Sequence, residues 1–200
     1  MNLKTIFYIL ILLFAYFAYD NYKLSSYKPN YSTSVDKEPV QTETYRSEIH
    51  RKDYVIKPLK NYHIQARVLS KKKYTRDDNS DISNFDLALG WKEMSDMNNL
   101  ERIKISQGNR WYYWKTDEMF IPRSAIEHNS SNHHIIHAND EVYNVLKNIE
   151  THQIIEMKGF LVRVDYKNDS NRYWKSSLSR TDTGHGACEL FYVEEIRIVE

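Results

Sequence analysis

The chain has 200 residues, a formal net charge of +1 at neutral pH and a mean hydropathy of −0.69. That length suits one folded domain with extensions, and the balanced charge excludes the strong basic field of a nucleic-acid binder, so no nucleic acid is expected as a partner. The single cysteine, Cys188, excludes an internal disulfide.

Ile6 to Ala18 is unbroken by charge, with Lys4 before it and Asp20 after it. At about 1.5 Å per residue, and with Thr5 and Tyr19 included, the apolar rod is roughly 22 Å long against a hydrocarbon core of about 30 Å. Tyr19 and Tyr22 can extend it at headgroup level. The expectation is one N-terminal transmembrane helix, an uncleaved signal anchor over residues 1–23 that meets the membrane through residues 5–19. A cleaved signal peptide is the alternative, but Ala18 at −1 would put Tyr16 at −3, a poor cleavage site. This predicts a single-pass protein of the cell inner membrane whose C-terminal domain is exported to the periplasm. Residues 24–50 are rich in Ser, Thr, Tyr and Lys, contain Pro29 and Pro39, and hold no sustained period of 2 or 3.6. They read as a flexible linker to a soluble β-rich domain over residues 51–200.

Within that domain Tyr62, Ile64, Ala66 and Val68 alternate with His63, Gln65 and Arg67, a half-buried strand. Lys71, Lys72 and Lys73 read as a solvated turn. Ile103 and Ile105, a turn at Gln107-Gly108-Asn109, and the aromatic run Arg110 to Lys115 predict a hairpin. Asn139 or Asp140 is an N-cap for an amphipathic helix in which Val142, Val145, Leu146 and Ile149 share a face. Ile154 to Val164, with Gly159 inside it, Tyr173 to Ser179 and Leu190 to Val199 read as strands. The expected fold class is therefore mainly β with one or two short helices (α+β), a small, partly open β-barrel or sandwich. An oligonucleotide/oligosaccharide-binding-like barrel fits the element order by pattern alone.

Three stretches are hard to explain as scaffold: Asp86-Leu87-Ala88-Leu89-Gly90-Trp91 with Met94-Ser95-Asp96, then Asn132-His133-His134-Ile135-Ile136-His137, then Ser176 to Glu189. In this order they resemble a family of uncharacterised bacterial proteins with DLALGW…MSD, NxH and SSLSRTDTGxGACE motifs. The resemblance covers residues 60–200, and the last motif is long and specific. Matching positions include Asp86, Gly90, Trp91, Asn132, His134, Arg180, Asp182, Gly184, Gly186, Cys188 and Glu189. The pattern is broken at His137, where the family carries proline. The resemblance supports the domain limits and implies no activity.

The residues themselves suggest two kinds of chemistry. Gly184 and Gly186 allow a turn of backbone amides before Cys188, and His134 as base with Asn132 or Asp182 as orienter would make a Cys/His nucleophilic site. Trp111 and Trp114 on the aromatic strand, with Arg180, Glu189, Asp86 and Trp91, form a candidate ligand-binding set, since indole rings stack on sugars and peptides. The histidines at 133, 134 and 137 are read as ordinary histidines in an extended segment, so no metal and no cofactor is expected. From sequence, the first reading is a membrane-anchored envelope protein whose exported domain binds a protein or glycan partner without catalysis. A thiol-dependent hydrolase or transferase is the alternative, and a structural subunit of an envelope complex the second alternative.

Overall fold

Tyr62, Ile64, Ala66 and Val68 all point inward in the computed structural model, on a strand far longer than their alternation spans. The structure describes residues 3–24, 27–179, 181, 182, 184 and 186–200, with the side chains of the first helix described over 4–16. The chain begins with α1 (Leu3–Leu24), then β1 (Val40–Thr42), β2 (Ile49–His50), the long β3 (Tyr54–Lys73) and β4 (Phe85–Gly90). A 3₁₀ turn (Lys92–Ser95), α2 (Met97–Leu100), the hairpin β5 (Lys104–Gly108) and β6 (Trp111–Lys115), α3 (Arg123–His128) and β7 (Ser130–His137) follow. The chain closes with α4 (Asp140–Asn148), β8 (Ile154–Tyr166), β9 (Asp169–Lys175) and β10 (Glu189–Ile198).

Five strands pair in a ring. β3 pairs with β4, β4 with β7, β7 runs parallel to β10, β10 pairs with β8, and β8 returns to β3. The last pairing spans Tyr54 to Arg67, so the two longest strands share one seam. Register shifts at Pro58/Lys60 and Val68/Ser70 bend β3, which lets one strand serve β8 along one edge and β2, β1 and β4 along the other. Gly159 sits where β8 meets the bulge of β10, and a Cβ there would strike the Tyr192 carbonyl oxygen.

The ring interior is filled by Tyr62, Ile64, Leu87, Leu89, Ile135, Met157 and Phe191, and closed at one end by Val142, Leu146 and Ile149 of α4 and its C-terminus. Asn139 caps that helix, accepting from the Val142 amide at 3.0 Å. At its other end Lys71 Nζ donates to the carbonyls of Leu146, Lys147 and Ile149. The basic run is thus partly a helix cap, in which burial depresses the Lys71 ammonium below its ordinary value. The β5–β6 hairpin stands outside the ring and packs on a separate cluster of Leu69, Met94, Met97, Leu100 and Ile126.

Three sequence expectations are corrected. Beyond α1, the described residues hold three short helices rather than one or two, because α2 and α3 have four and six residues, too few to show a 3.6 period. The sheet is partly ring-like rather than a sandwich. Among the described residues no helix is long and apolar enough to cross a membrane. The transmembrane helix, the signal anchor, and the inner-membrane single-pass placement with a periplasmic domain therefore lose their support.

The segment read as a linker also lies against the ring. Val35 is buried, its amide donates to Ser95 Oγ at 2.7 Å, and β1 and β2 both pair with β3. The buried Arg67 guanidinium holds it there, donating to the carbonyls of Thr33, Ser95 and His152 at 2.5–2.6 Å.

Candidate functional site

Asp86 and Ala88 lie opposite His134 and Asn132 in the β4–β7 ladder. Side chains two apart on a strand share a face, so Asp86, His134 and Asn132 form one polar cluster on the ring wall. The parallel pairing of β10 with β7 sets Glu189 against His133 and Leu190 against His134. Cys188, one residue before β10, therefore arrives beside Asn132, with Asn132 Nδ2 4.0 Å from its sulfur. The turn that delivers it uses Gly184 and Gly186 at φ of 80° and 89°, conformations that favour glycine. Ser177 N donates to the Cys188 carbonyl and Ser176 Oγ accepts from Leu190 N, both at 3.0 Å, which fixes the start of β10.

His134 is buried, and its Nδ1 lies 2.9 Å from Asp86 Oδ1. With Nδ1 committed there, Nε2 is the nitrogen left to interact with Cys188, whose influence adds to that of Asp86. Burial by itself would depress the imidazole, but the bonds to Asp86 and Cys188 and the charges they carry outweigh it and raise its pKa to about 9. The Trp174 ring from β9 covers the imidazole at a centroid distance of 4.7 Å. Asn132 Oδ1 accepts from Gln107 Nε2 at 2.7 Å, which turns the amide nitrogen toward the sulfur, Asp86 Oδ2 and the Arg110 carbonyl.

A cleft of about 390 Å³ opens above Cys188 and Asn132, walled by Trp111, Tyr113 and Trp114 of β6 and by Asp182. Tyr113 is half exposed, whereas Tyr112 bonds Ser130 Oγ at 3.1 Å, and burial lifts its phenol to about 12. Arg123 lies over the Trp114 ring and pairs with Glu127 at 2.8 Å at the rim.

Of the sequence-derived nucleophilic set, the structure brings Cys188, His134 and Asn132 together. Asp182 also reaches the cleft, but its carboxylate accepts from Ser177 Oγ at 2.5 Å and is not the partner of His134. That place belongs to Asp86, which the sequence reading had put among ligand contacts. Trp111 and Trp114 line the cleft. Trp91 is packed in the ring core, and Glu189 is buried at the start of β10, so neither meets a ligand in the cleft. Arg180 lies outside the described residues. His133 and His137 share one face of β7 about 13 Å apart at 3.3 Å per residue, with His134 on the other, a spacing that cannot share a metal. Among the described residues no three His, Cys, Asp or Glu side chains converge as metal ligands.

Sequence reasoning missed Arg110, Gln107 and Trp174. Arg110 and Asn109 form the two-residue turn of the hairpin, at φ of 67° and 52°. Such a turn favours Asn-Gly, so an arginine in the glycine position of Asn109-Arg110 was the available signal. Comparison with protein-family models, curated proteins and solved structures gave no match.

Proposed function

We propose that this protein is a thiol-dependent acyl hydrolase or acyltransferase. Cys188 is the nucleophile, His134 the general acid and base, Asp86 the group that orients His134, and Asn132 the donor to the oxyanion. The observation that carries this reading is the buried His134 ring, bonded at Nδ1 to Asp86 and coupled electrostatically to Cys188, which lines an open cleft together with Asn132. A cationic imidazole held against a sulfur is the electrostatic setting in which a cysteine acts as a nucleophile.

In the first half-reaction the sulfur, whose proton already rests on His134 Nε2, attacks the acyl carbon as a thiolate. Negative charge gathers on the carbonyl oxygen, where the Asn132 amide can donate to it. The bond from the acyl carbon to the leaving group then breaks, and the imidazolium gives its proton to that group. In the second half-reaction water, or a second nucleophile, gives a proton to His134 and attacks the thioester. The carbon–sulfur bond breaks, and the sulfur leaves as a thiolate beside the imidazolium, which restores the starting pair. Asp86 carries no proton in this cycle; it keeps Nδ1 protonated and Nε2 toward the sulfur.

Mixing the full chain with p-nitrophenyl butyrate tests this. Release of p-nitrophenolate with a butyryl adduct on Cys188 by mass spectrometry is expected, with both lost in Cys188→Ser and reduced about 10²-fold or more in His134→Ala. An adduct formed equally fast in His134→Ala would remove the proposal.

A second reading rests on the outward aromatic wall. Trp111 and Tyr113 present rings suited to stacking on a glycan or a peptide side chain, so the cleft could serve recognition without catalysis. Intact ligand binding in Cys188→Ser together with no acyl adduct in the wild type would favour it.

A further inference from the structure

Arg110 is in a costly conformation for a non-glycine residue, at φ 67° in the β5–β6 turn. The residue is held from several sides. Its Nη1 donates to Asp86 Oδ1 at 2.8 Å, the same oxygen that faces His134 Nδ1 at 2.9 Å. Its Nε and Nη2 donate to the two oxygens of Asp77 at 3.0 and 2.8 Å, and Nη2 also reaches the Ser83 carbonyl. Its guanidinium lies over the Tyr74 ring at 4.0 Å and 5.9 Å from that of Trp174, the residue that covers His134. Its backbone carbonyl accepts from Asn132 Nδ2 at 3.2 Å. One residue of the hairpin therefore touches both the orienting carboxylate and the amide beside the sulfur.

We propose that Arg110 is a positioning residue of the Cys188 site: it fixes Asp86 and Asn132 in place and, as a permanent cation in the buried network, loosens the hold of His134 on its proton. This inference rests on the thiol-enzyme reading above. The charged and titratable groups around the imidazole are Asp86 from β4, Cys188 from the turn before β10, and Arg110 with Asp77 behind it; Tyr74 lies next in line. Asp86 binds the imidazolium strongly, and with no counterweight the proton would stay on His134 instead of passing to a leaving group. A cation sharing Asp86 Oδ1 opposes that binding, since like charges near one site disfavour a further positive charge. Lysine could not replace the fork that spans Asp86 and Asp77.

The sign of the effect separates this role from a structural one. The His134 imidazole is titrated by NMR in the full chain, and Cys188 is alkylated with iodoacetamide across pH in the same samples. In Arg110→Gln the imidazole midpoint is expected to rise by on the order of one pH unit. In Asp77→Asn, where a negative charge is lost and Arg110 stays, it is expected to fall. Arg110→Lys should lie between Arg110→Gln and the wild type. An Arg110→Gln midpoint at or below the wild-type value overturns the proposal. If that variant does not fold, Asp77→Asn decides alone, and an unchanged or raised midpoint there overturns it. His134→Ala separates the two readings: if alkylation of Cys188 is as fast there as in the wild type, the nucleophile reading fails and the role of Arg110 falls with it. If His134→Ala is slow while Arg110→Gln titrates like the wild type, only the inference about Arg110 fails.

Discussion

Asp86 and His134 are 48 residues apart in the chain, yet they are directly paired across two antiparallel strands, with Nδ1 and Oδ1 2.9 Å apart and both side chains buried. A buried carboxylate beside an imidazole is costly unless each satisfies the other. The pair therefore links the chemistry of the site to the stability of the ring.

That link has a direction in pH. The His134 imidazole binds its proton with a pKa of about 9 in the folded chain, above the 6.5 of an unfolded histidine. Protonation of His134 therefore stabilises the fold fully below about pH 6.5, and this contribution is lost as pH rises through about 9. The upper bound is about 3 kcal/mol from 1.36 kcal/mol per pKa unit. Urea unfolding across that range should show the wild type losing stability more steeply than Asp86→Asn, which lacks the carboxylate that raises the imidazole. Parallel curves for the two proteins would contradict this assignment.

Trp91 and Trp111 should separate cleanly. Trp91 is 1 % exposed in the ring core, and its truncation to alanine should cost about 3–5 kcal/mol and lower the melting temperature sharply. Trp111→Ala should leave the melting temperature near the wild-type value and instead weaken acylation of Cys188, because Trp111 walls the cleft. A Trp111→Ala variant that melts as early as Trp91→Ala would place Trp111 in the scaffold.

Arg67 makes the N-terminal segment part of the fold. Replacing it with methionine leaves the carbonyls of Thr33, Ser95 and His152 without their donor, at a cost of about 2–4 kcal/mol. Limited proteolysis should then cut between residues 27 and 50, where the wild type resists. Equal resistance in both proteins would show that β1 and β2 hold the segment without Arg67.

Much of the scaffold is local information. The alternation of Tyr62 to Val68 and the Asn139 cap with its amphipathic helix correspond to β3 and α4, since strand and helix periods are written in neighbouring residues. β4 carried no such signal. All six of its residues are buried, so its pattern has no polar face to reveal a strand, and with the strand went the place of Asp86. The residue types Cys188, His134 and Asn132 were legible as a nucleophilic set, but their proximity was not, because it depends on the parallel register of β10 against β7. The sequence offered Asn132 or Asp182 as the partner of His134, but the carboxylate against its Nδ1 is Asp86, for the same reason: Asp182 lies close to Cys188 in sequence, whereas Asp86 is brought in by strand pairing. The apolar run at the N-terminus was plain in the sequence, yet among the described residues no helix is long and apolar enough to cross a membrane. Local periodicity and capping were thus determined by the sequence alone. The ring closure, the burial of Trp91 and Glu189, and the meeting of Asp86, His134, Arg110 and Cys188 were decided only by long-range pairing, which no short stretch of chain encodes.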